Sequence, residues 1–152
     1  ADLTTVIDAV MSTTRTTHAG RIRFGVRGVR PNLSVAMHPA DLYVILSNLV
    51  RNSLESGGET VFVNIEVGPE LPDRIVIVVE DDGPGIPLEE RTNVFDPFYT
   101  SKRAKGGLGI GLALSRELAE KNGARLRLSP SIQQGTRFEI TIPKGDHRVT
   151  TT

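Results

Sequence analysis

The sequence predicts a two-layer α/β sandwich, in which a mixed, mostly antiparallel sheet of about five strands carries about three helices on one face. The chain has 152 residues, a length that suits one domain. Its helical patterns alternate with pairs of strand patterns, whereas a doubly wound parallel sheet needs a helix after each strand. The stretch "RIVIVVED" is almost entirely apolar, which is typical of a strand at the centre of a sheet.

The N-terminal part of the chain predicts two helices and two short strands. "DLTTVIDAVMSTTR" has apolar residues at helical spacing, and "RIRFGVRG" alternates apolar and polar residues as a strand does. "NLSVAM" predicts a second short strand. A longer helix is predicted to begin at Pro39, because proline is favoured at the first helical position, and to end near Gly57.

The rest of the chain predicts one more helix and the remaining strands. "TVFVNIEV" alternates strongly and precedes the central strand. Residues 83–106 show no regular pattern, and a long irregular segment is usually functional or mobile. The helix "GIGLALSRELAEKNG" and the strands "RLRLSP" and "TRFEITIP" follow, and the polar residues 144–152 are expected to be disordered.

Composition narrows the class of protein. Eighteen Lys and Arg residues balance eighteen Asp and Glu residues, so the net charge does not favour nucleic acid or an anionic membrane as a partner. Cysteine is absent, which excludes disulfides and thiolate metal sites. No apolar run approaches the roughly 18 residues of a membrane span. We therefore expect a single cytoplasmic domain over residues 1–152. We also expect it to be part of a longer parent protein, whether or not that parent is anchored in a membrane.

Two short motifs carry oxygen atoms suited to a cation and to a base. Asn48 and Asn52 lie one helical turn apart, where their amide oxygens can bind a hard cation or simply face solvent. Asp81 ends the apolar strand and is followed by Gly83 and Gly85. A carboxylate there can accept a hydrogen bond from an exocyclic amine, although an acidic turn after a strand has the same composition.

A basic segment lies between two phenylalanines and a glycine-rich run. Phe95 and Phe98 flank Asp-Pro, and Lys102, Arg103 and Lys105 follow them. Such a segment is suited to a lid that closes over phosphates, because the phenylalanines can hold it in place and the basic side chains can bind the phosphates. The same pattern also fits a solvated basic loop.

Glycine repeats at the start of the last helix, in "GGLGIGLAL". Each glycine inside a helix destabilises it by roughly 0.5–1 kcal/mol relative to alanine, so the repetition needs a reason. Backbone N–H groups at a glycine-rich helix start form an anion site that the helix dipole strengthens. The run matches neither a P-loop nor a dinucleotide fingerprint.

The four motifs together, in this order, resemble the ATP-binding catalytic domain of sensor histidine kinases. This is a branch of the superfamily shared with DNA gyrase, the MutL repair proteins and the large heat-shock chaperones, which have the Bergerat ATP-binding fold. The resemblance covers residues 3–143, and "NLVRNSLES" and "FYTSK" are most similar to the nitrogen-regulation and oxygen-sensing kinases. It implies a module that binds ATP and Mg²⁺ and transfers the γ-phosphoryl group to a histidine on a separate dimerisation domain, with a response regulator acting downstream.

The resemblance also implies roles for individual residues. Asn52 would bind Mg²⁺, Asn48 would lie beside the metal and the phosphates, and Asp81 would accept from the adenine amine. The other implied nucleotide contacts are Gly83, Gly85, Ile86 and Thr136 near the base, Phe95 and Phe98 as latches of an ATP lid over about 96–107, Lys102 and Lys105 on that lid, and Gly107, Leu108, Gly109, Gly111 and Leu112 at the phosphates.

Two positions depart from the family pattern. Glu55 stands three positions after the metal-binding Asn, where many members carry a basic residue, and His38 stands where an Asp commonly caps the central helix. Hydrolases of the superfamily place a Glu at the position of Asn48, and an amide cannot take a proton there. We therefore expect phosphoryl transfer rather than vigorous hydrolysis.

The acceptor histidine is not recognisable in this sequence, because none of His18, His38 and His147 is followed by Glu or Asp. The dimerisation domain is thus expected in a parent protein, and the isolated chain is expected to bind ATP without phosphorylating itself. Two alternatives stay open. The chain could be a nucleotide-binding module without catalysis, or a serine kinase of the anti-sigma type.

Overall fold

The computed structural model describes residues 1–97, 111–130 and 135–145. The elements in this part of the chain are α1 Leu3–Thr17, β1 Ile22–Arg27, α2 Pro39–Ser56, β2 Val61–Glu70, β3 Arg74–Asp81, a short 3₁₀ helix Leu88–Glu90, α3 Gly111–Lys121, β4 Arg125–Leu128 and β5 Thr136–Pro143. None of the helices in these ranges combines the length and the apolar character needed to cross a membrane.

The five described strands form one sheet in the order β1-β2-β3-β5-β4. β1 runs parallel to β2, and the other neighbouring pairs are antiparallel. Alternate residues of β2 are buried against the helices, among them Val63 and Ile65, while Phe62 on the opposite face is 43% exposed. The predicted sandwich with a mixed, mostly antiparallel sheet is confirmed.

Helix α2 begins as the sequence predicts, with Pro39 in its first turn and His38 as its N-cap. The His38 Nδ1 atom accepts a hydrogen bond from the Ala40 N–H at 3.2 Å, which satisfies one of the free donors of the first turn. Asp41 in the same turn accepts from Asn122 Nδ2 at 3.0 Å. This bond, helped by the charges of Lys121 and His38, lowers the pKa of Asp41.

Two details at the ends of the sheet differ from the sequence-based expectation. "NLSVAM" is not a strand, because Ser34 and Val35 make only isolated bridges, to Asp2 and Lys144. Its alternating pattern arises because an extended connection buries every second side chain. Lys144 and Gly145 are also hydrogen-bonded, with their N–H groups on Asp73 O and Ser34 O, so regular contacts extend two residues into the segment expected to be disordered. Residues 146–152 lie outside the described residues.

Candidate functional site

The carboxylate of Asp81 is the centre of the site. It lies at the end of β3 and is only 6% exposed. Its Oδ1 atom accepts from the N–H groups of Gly83 at 2.9 Å and Thr136 at 3.2 Å, and its Oδ2 atom accepts from Ser53 Oγ at 2.5 Å. A carboxylate has about four acceptor directions. Among the described residues, one direction on Oδ2 is therefore left open for a further donor.

Glycines allow the backbone to close tightly around this carboxylate. Gly135 has φ +85°, and a Cβ atom there would lie 1.9 Å from the Asp81 carbonyl oxygen. Gly85 has φ +82°, and its Cβ atom would lie 2.9 Å from the Gly135 carbonyl oxygen. Both positions need glycine, because L side chains rarely adopt this conformation and the added atom would collide with backbone.

The neighbouring Asp82 faces away from the site. Successive side chains of a strand point to opposite faces of the sheet. Asp82 is exposed, and its Oδ1 atom accepts from the Phe62 N–H at 3.1 Å on the adjacent strand. The two consecutive carboxylates thus have separate surroundings.

Asn48 ties α2 to the start of α3. Its side chain is 9% exposed, and its Nδ2 atom donates to the Gly111 carbonyl oxygen at 3.1 Å and to Ser115 Oγ at 3.0 Å. Both amide protons are therefore occupied by α3, and the Oδ1 atom is the part of the group left for other contacts. This bond fixes the position of the first residue of α3.

Helices α2 and α3 run antiparallel. Gly111 at the start of α3 meets Asn48 in the middle of α2, and Asn122 just after α3 bonds to Asp41 in the first turn of α2. The N-terminus of α3 therefore opens toward the last turns of α2. The first N–H groups of a helix have no partner within the helix, and the positive end of the helix dipole lies there.

Asn52 lies in those last turns of α2. Its side chain is half-buried and makes no hydrogen bond with another described residue. It directly precedes Ser53, whose hydroxyl bonds to Asp81. The amide oxygen of Asn52 is therefore left for other contacts, on the stretch of α2 between Asn48, which bonds to Gly111, and Ser53, which bonds to Asp81.

The segment after the Gly-Pro-Gly turn is anchored to the sheet and to α3. The rings of Phe95 and Phe138 meet edge to face with centroids 6.0 Å apart. The Arg116 guanidinium lies 5.3 Å from the Phe95 ring centroid, and Ile86 packs against the core. Arg91 adds a hydrogen bond to the Ser129 carbonyl oxygen.

The structure brings together many of the residues that the sequence singled out. Gly83 and Thr136 contact the Asp81 carboxylate, Gly85 lies against Gly135 beside it, and Asn48 contacts Gly111. Asn52 lies on α2 between Asn48 and Ser53, and Leu112 follows Gly111 on α3. The predicted Phe98, Lys102, Lys105, Gly107, Leu108 and Gly109 lie outside the described residues.

Sequence reasoning missed Ser53, Ser115 and Gly135. Ser53 and Ser115 are hydroxyls buried on the inner sides of helices, and a polar residue among apolar neighbours was the signal available. Gly135 precedes the last strand in "GTRFEI", where a glycine can mark a close approach of two backbone segments.

Known proteins resemble this chain over most of its length. The family described as histidine kinase-, DNA gyrase B- and HSP90-like ATPases matches residues 37–146. The sensor protein kinase PilS of Pseudomonas aeruginosa is 38% identical over 116 residues, which are 73% of this chain and 21% of that protein. The signal transduction histidine-protein kinase AfsQ2 of Streptomyces coelicolor is 36% identical over 121 residues, 78% of this chain and 21% of that protein.

Solved structures give the same result. The mycobacterial sensor histidine kinase MprB matches with a TM-score of 0.82 and 30% identity, covering 95% of both chains. The catalytic domain of histidine kinase ThkA matches with a TM-score of 0.76 and 27% identity over 94% of this chain and 95% of that one. The present chain spans about a fifth of the curated relatives PilS and AfsQ2, at 21% of each. It belongs to the family of histidine kinase-, DNA gyrase B- and HSP90-like ATPases, and its relatives within that family are sensor histidine kinases.

Proposed function

We propose that this chain is the catalytic ATP-binding module of a two-component sensor kinase. It binds ATP with Mg²⁺ and transfers the γ-phosphoryl group to a histidine on a separate dimerisation domain in the cytoplasm. The observation that carries the proposal is the buried Asp81 carboxylate, with one acceptor direction unused by the described residues, bonded to the same helix α2 that holds the N-terminus of α3 through Asn48. The carboxylate suits a base with an exocyclic amine, and the helix N-terminus suits a chain of phosphates.

Adenine is the base that fits Asp81. A carboxylate only accepts hydrogen bonds, so it pairs with the 6-amino group of adenine and repels the 6-oxo group of guanine. Gly83 and Thr136 donate to the carboxylate, Gly85 lies against Gly135, and Ile86 packs against the core nearby in sequence. We assign these four residues to the backbone and apolar contacts of the ring. The Gly-Pro-Gly turn therefore serves as the wall of a base pocket.

Asn52 fits a magnesium ion bound to the phosphates. Its amide oxygen is a hard ligand, and its side chain has no hydrogen-bond partner in the described ranges. Magnesium binds through one or two protein oxygens together with phosphates and water. When bound, the ion would neutralise charge on the phosphates. The contribution of Asn52 is to hold it at a fixed distance from Asp81.

The phosphates belong at the start of α3. Gly111 and Leu112 offer backbone N–H groups there, and the helix dipole favours an anion. We extend this site to Gly107, Leu108 and Gly109, to Lys102 and Lys105 as cations on an ATP lid over about 96–107, and to Phe95 and Phe98 as its latches.

Transfer rather than hydrolysis follows from Asn48. Activation of water needs a group that accepts a proton, and an amide does not do so near neutral pH. The Nδ2 protons of Asn48 are also engaged by α3. Asn48 thus positions the phosphate-binding N-terminus and leaves the γ-phosphoryl group to an acceptor supplied by another domain.

The test pairs two neighbouring carboxylates. Asp81→Asn changes the acceptor to a donor at the base site, and we expect ATP binding measured by calorimetry to disappear. Asp82→Asn, the matched control on the opposite face, should bind like the wild type. Equal affinity in the two variants would refute the assignment of Asp81.

The phosphotransfer step has its own assay. The wild-type chain is mixed with Mg-ATP and a histidine-containing dimerisation fragment, and the product is tested for an acid-labile, base-stable phosphoryl bond. An acid-stable phosphoserine on a partner would instead identify a serine kinase. ATP binding without transfer to any fragment of the parent would identify a module without catalysis.

A further inference from the structure

We propose that Glu55 is a second protein ligand of the magnesium ion, beside Asn52. This inference rests on the proposed function and deepens it, since it concerns the metal of the same site. Glu55 lies on α2 seven residues after Asn48 and three after Asn52. In a helix, residues seven apart point in nearly the same direction, and residues three apart are surface neighbours.

The contacts of Asn48 show which neighbouring element this face of α2 points toward. The Asn48 amide reaches the first residue of α3, at Gly111 O. Because α3 runs antiparallel to α2, the face of α2 beyond Asn48 is not covered by α3 but continues past its N-terminus. With a rise of 1.5 Å per residue, Asn52 lies about 6 Å and Glu55 about 10 Å farther along the axis of α2. Both side chains therefore border the space into which the N-terminus of α3 opens.

The two side chains are alike in a second respect. Asn52 and Glu55 are both half-buried, and within the ranges that the structure describes neither side chain makes a hydrogen bond or an ion pair. The neighbouring polar side chains of Asn48, Ser53 and Asp81 each make at least one hydrogen bond, by contrast. The pair thus presents one amide oxygen and one carboxylate to the phosphate-binding space.

Electrostatics decides what that carboxylate can do. A carboxylate next to a triphosphate is repelled by it unless a cation lies between them. Magnesium takes carboxylate and amide oxygens, and it keeps phosphates and water in its remaining positions. A divalent ion bound by Asn52, Glu55 and the phosphates therefore removes the repulsion between the Glu55 carboxylate and the phosphates. The carboxylate then serves as a metal ligand.

The test compares nucleotide binding with and without metal. Glu55→Gln keeps the size of the side chain and removes its charge. We expect calorimetry to show Mg-ATP binding weakened by roughly tenfold, a loss typical of a perturbed metal site. In excess EDTA we expect the opposite sign, because the repulsion is gone, with ATP bound about two- to threefold more tightly than by the wild type.

Two further variants sharpen the result. Glu59→Gln removes the same charge from an exposed residue just beyond α2, and it should leave both affinities unchanged. Glu55→Lys places a cation toward the phosphates, and it should reduce the ratio of the affinities with and without Mg²⁺ further than Glu55→Gln does. Circular dichroism of every variant verifies that the fold is retained.

The outcomes separate this inference from the proposed function. If the wild type binds Mg-ATP and Glu55→Gln binds it equally well, Glu55 is not a ligand and the proposed function stands. If Glu55→Gln weakens binding equally with and without Mg²⁺, the carboxylate acts on another group, such as a cation of the chain, and the inference is overturned. If the wild type binds no nucleotide, the proposed function fails and the inference fails with it.

Discussion

The Ser53 hydroxyl lies 2.5 Å from Asp81 Oδ2 and donates a hydrogen bond to it, which joins α2 to the end of β3. The bond is buried, and the two residues are 28 positions apart in the sequence. It links the turn of the helix that carries Asn52 to the carboxylate proposed to select the base. A shift of either side chain therefore moves the other side chain or breaks the hydrogen bond between them.

Loss of this hydroxyl should destabilise the fold. Ser53→Ala removes one of the donors that compensate a buried carboxylate, and we expect the free energy of unfolding to fall by about 1–3 kcal/mol. Urea denaturation measures the change. Ser56→Ala is the matched control, because the Ser56 hydroxyl bonds only to the Asn52 carbonyl oxygen in the same helix. Equal stability of the two variants would contradict the importance of the bond to Asp81.

Replacing Gly135 should be severe. A Cβ atom at this position would lie 1.9 Å from the Asp81 carbonyl oxygen, and φ is +85°. We expect Gly135→Ala to lower the free energy of unfolding by more than about 3 kcal/mol and to abolish ATP binding, because the carboxylate proposed to bind the base must shift.

Gly58→Ala provides the comparison for this glycine. A Cβ atom there would meet nothing within 4 Å, so its effect should stay within about 0.5 kcal/mol. Thermal unfolding and calorimetry on both variants check the prediction. A stable Gly135→Ala variant that binds ATP would contradict the prediction, since it would show that the backbone at the start of β5 can shift to accommodate the added Cβ atom.

Ser115 should matter through Asn48. Ser115→Ala leaves one Asn48 amide proton without its partner, and we expect a loss of about 1–2 kcal/mol in the free energy of unfolding. Ser47, next to Asn48 on α2, has no side-chain hydrogen bond to another described residue, and Ser47→Ala should be nearly neutral. Chemical denaturation distinguishes them, and a neutral Ser115→Ala would mean that Asn48 finds another acceptor.

Acid should weaken the fold partly through Glu70. The hydrogen bonds from Lys144 and then Arg30 lower the pKa of Glu70 from its ordinary value of 4.5. The native state therefore gains stability from this group above its unfolded pKa and loses it as the pH falls through the folded pKa. Glu70→Gln removes the gain, so its difference from the wild type should be largest near about pH 7 and should shrink below about pH 4.

Denaturation midpoints at several pH values measure this difference. Glu89→Gln, at an exposed carboxylate with no ion pair in the described part of the chain, should follow the wild type at every pH. A gap between Glu70→Gln and the wild type that does not depend on pH would contradict the role of the Glu70 charge.

Local pattern and motif order predicted much of this molecule. The start of α2 at Pro39 and the central strand β3 follow from cues within a few residues, and both are confirmed. "NLSVAM" was wrong as a strand, because alternation reports burial of every second side chain and not ladder pairing. The pairing partner of a segment depends on the whole sheet.

The site was predicted by residue type and not by contact. Spacing placed Asn48 and Asn52 on one face of a helix, but the partner of Asn48 at Gly111 is 63 residues away. The donors to Asp81 come from α2, from the turn after β3 and from the start of β5. Such convergence depends on tertiary packing, which periodicity does not contain.

Asn122 fastens the end of α3 to the first turn of α2 through Asp41 and the His38 N–H. Helix α3 has 11 residues, so this junction lies about 16 Å from Gly111 at the other end of the helix. Helix α3 is therefore held to α2 near both of its ends, by Asn48 at Gly111 and by Asn122 at Asp41. Movement of α3 as a rigid body relative to α2 therefore requires hydrogen bonds at both junctions to break, so the two ends of this helix keep a fixed separation and orientation on α2.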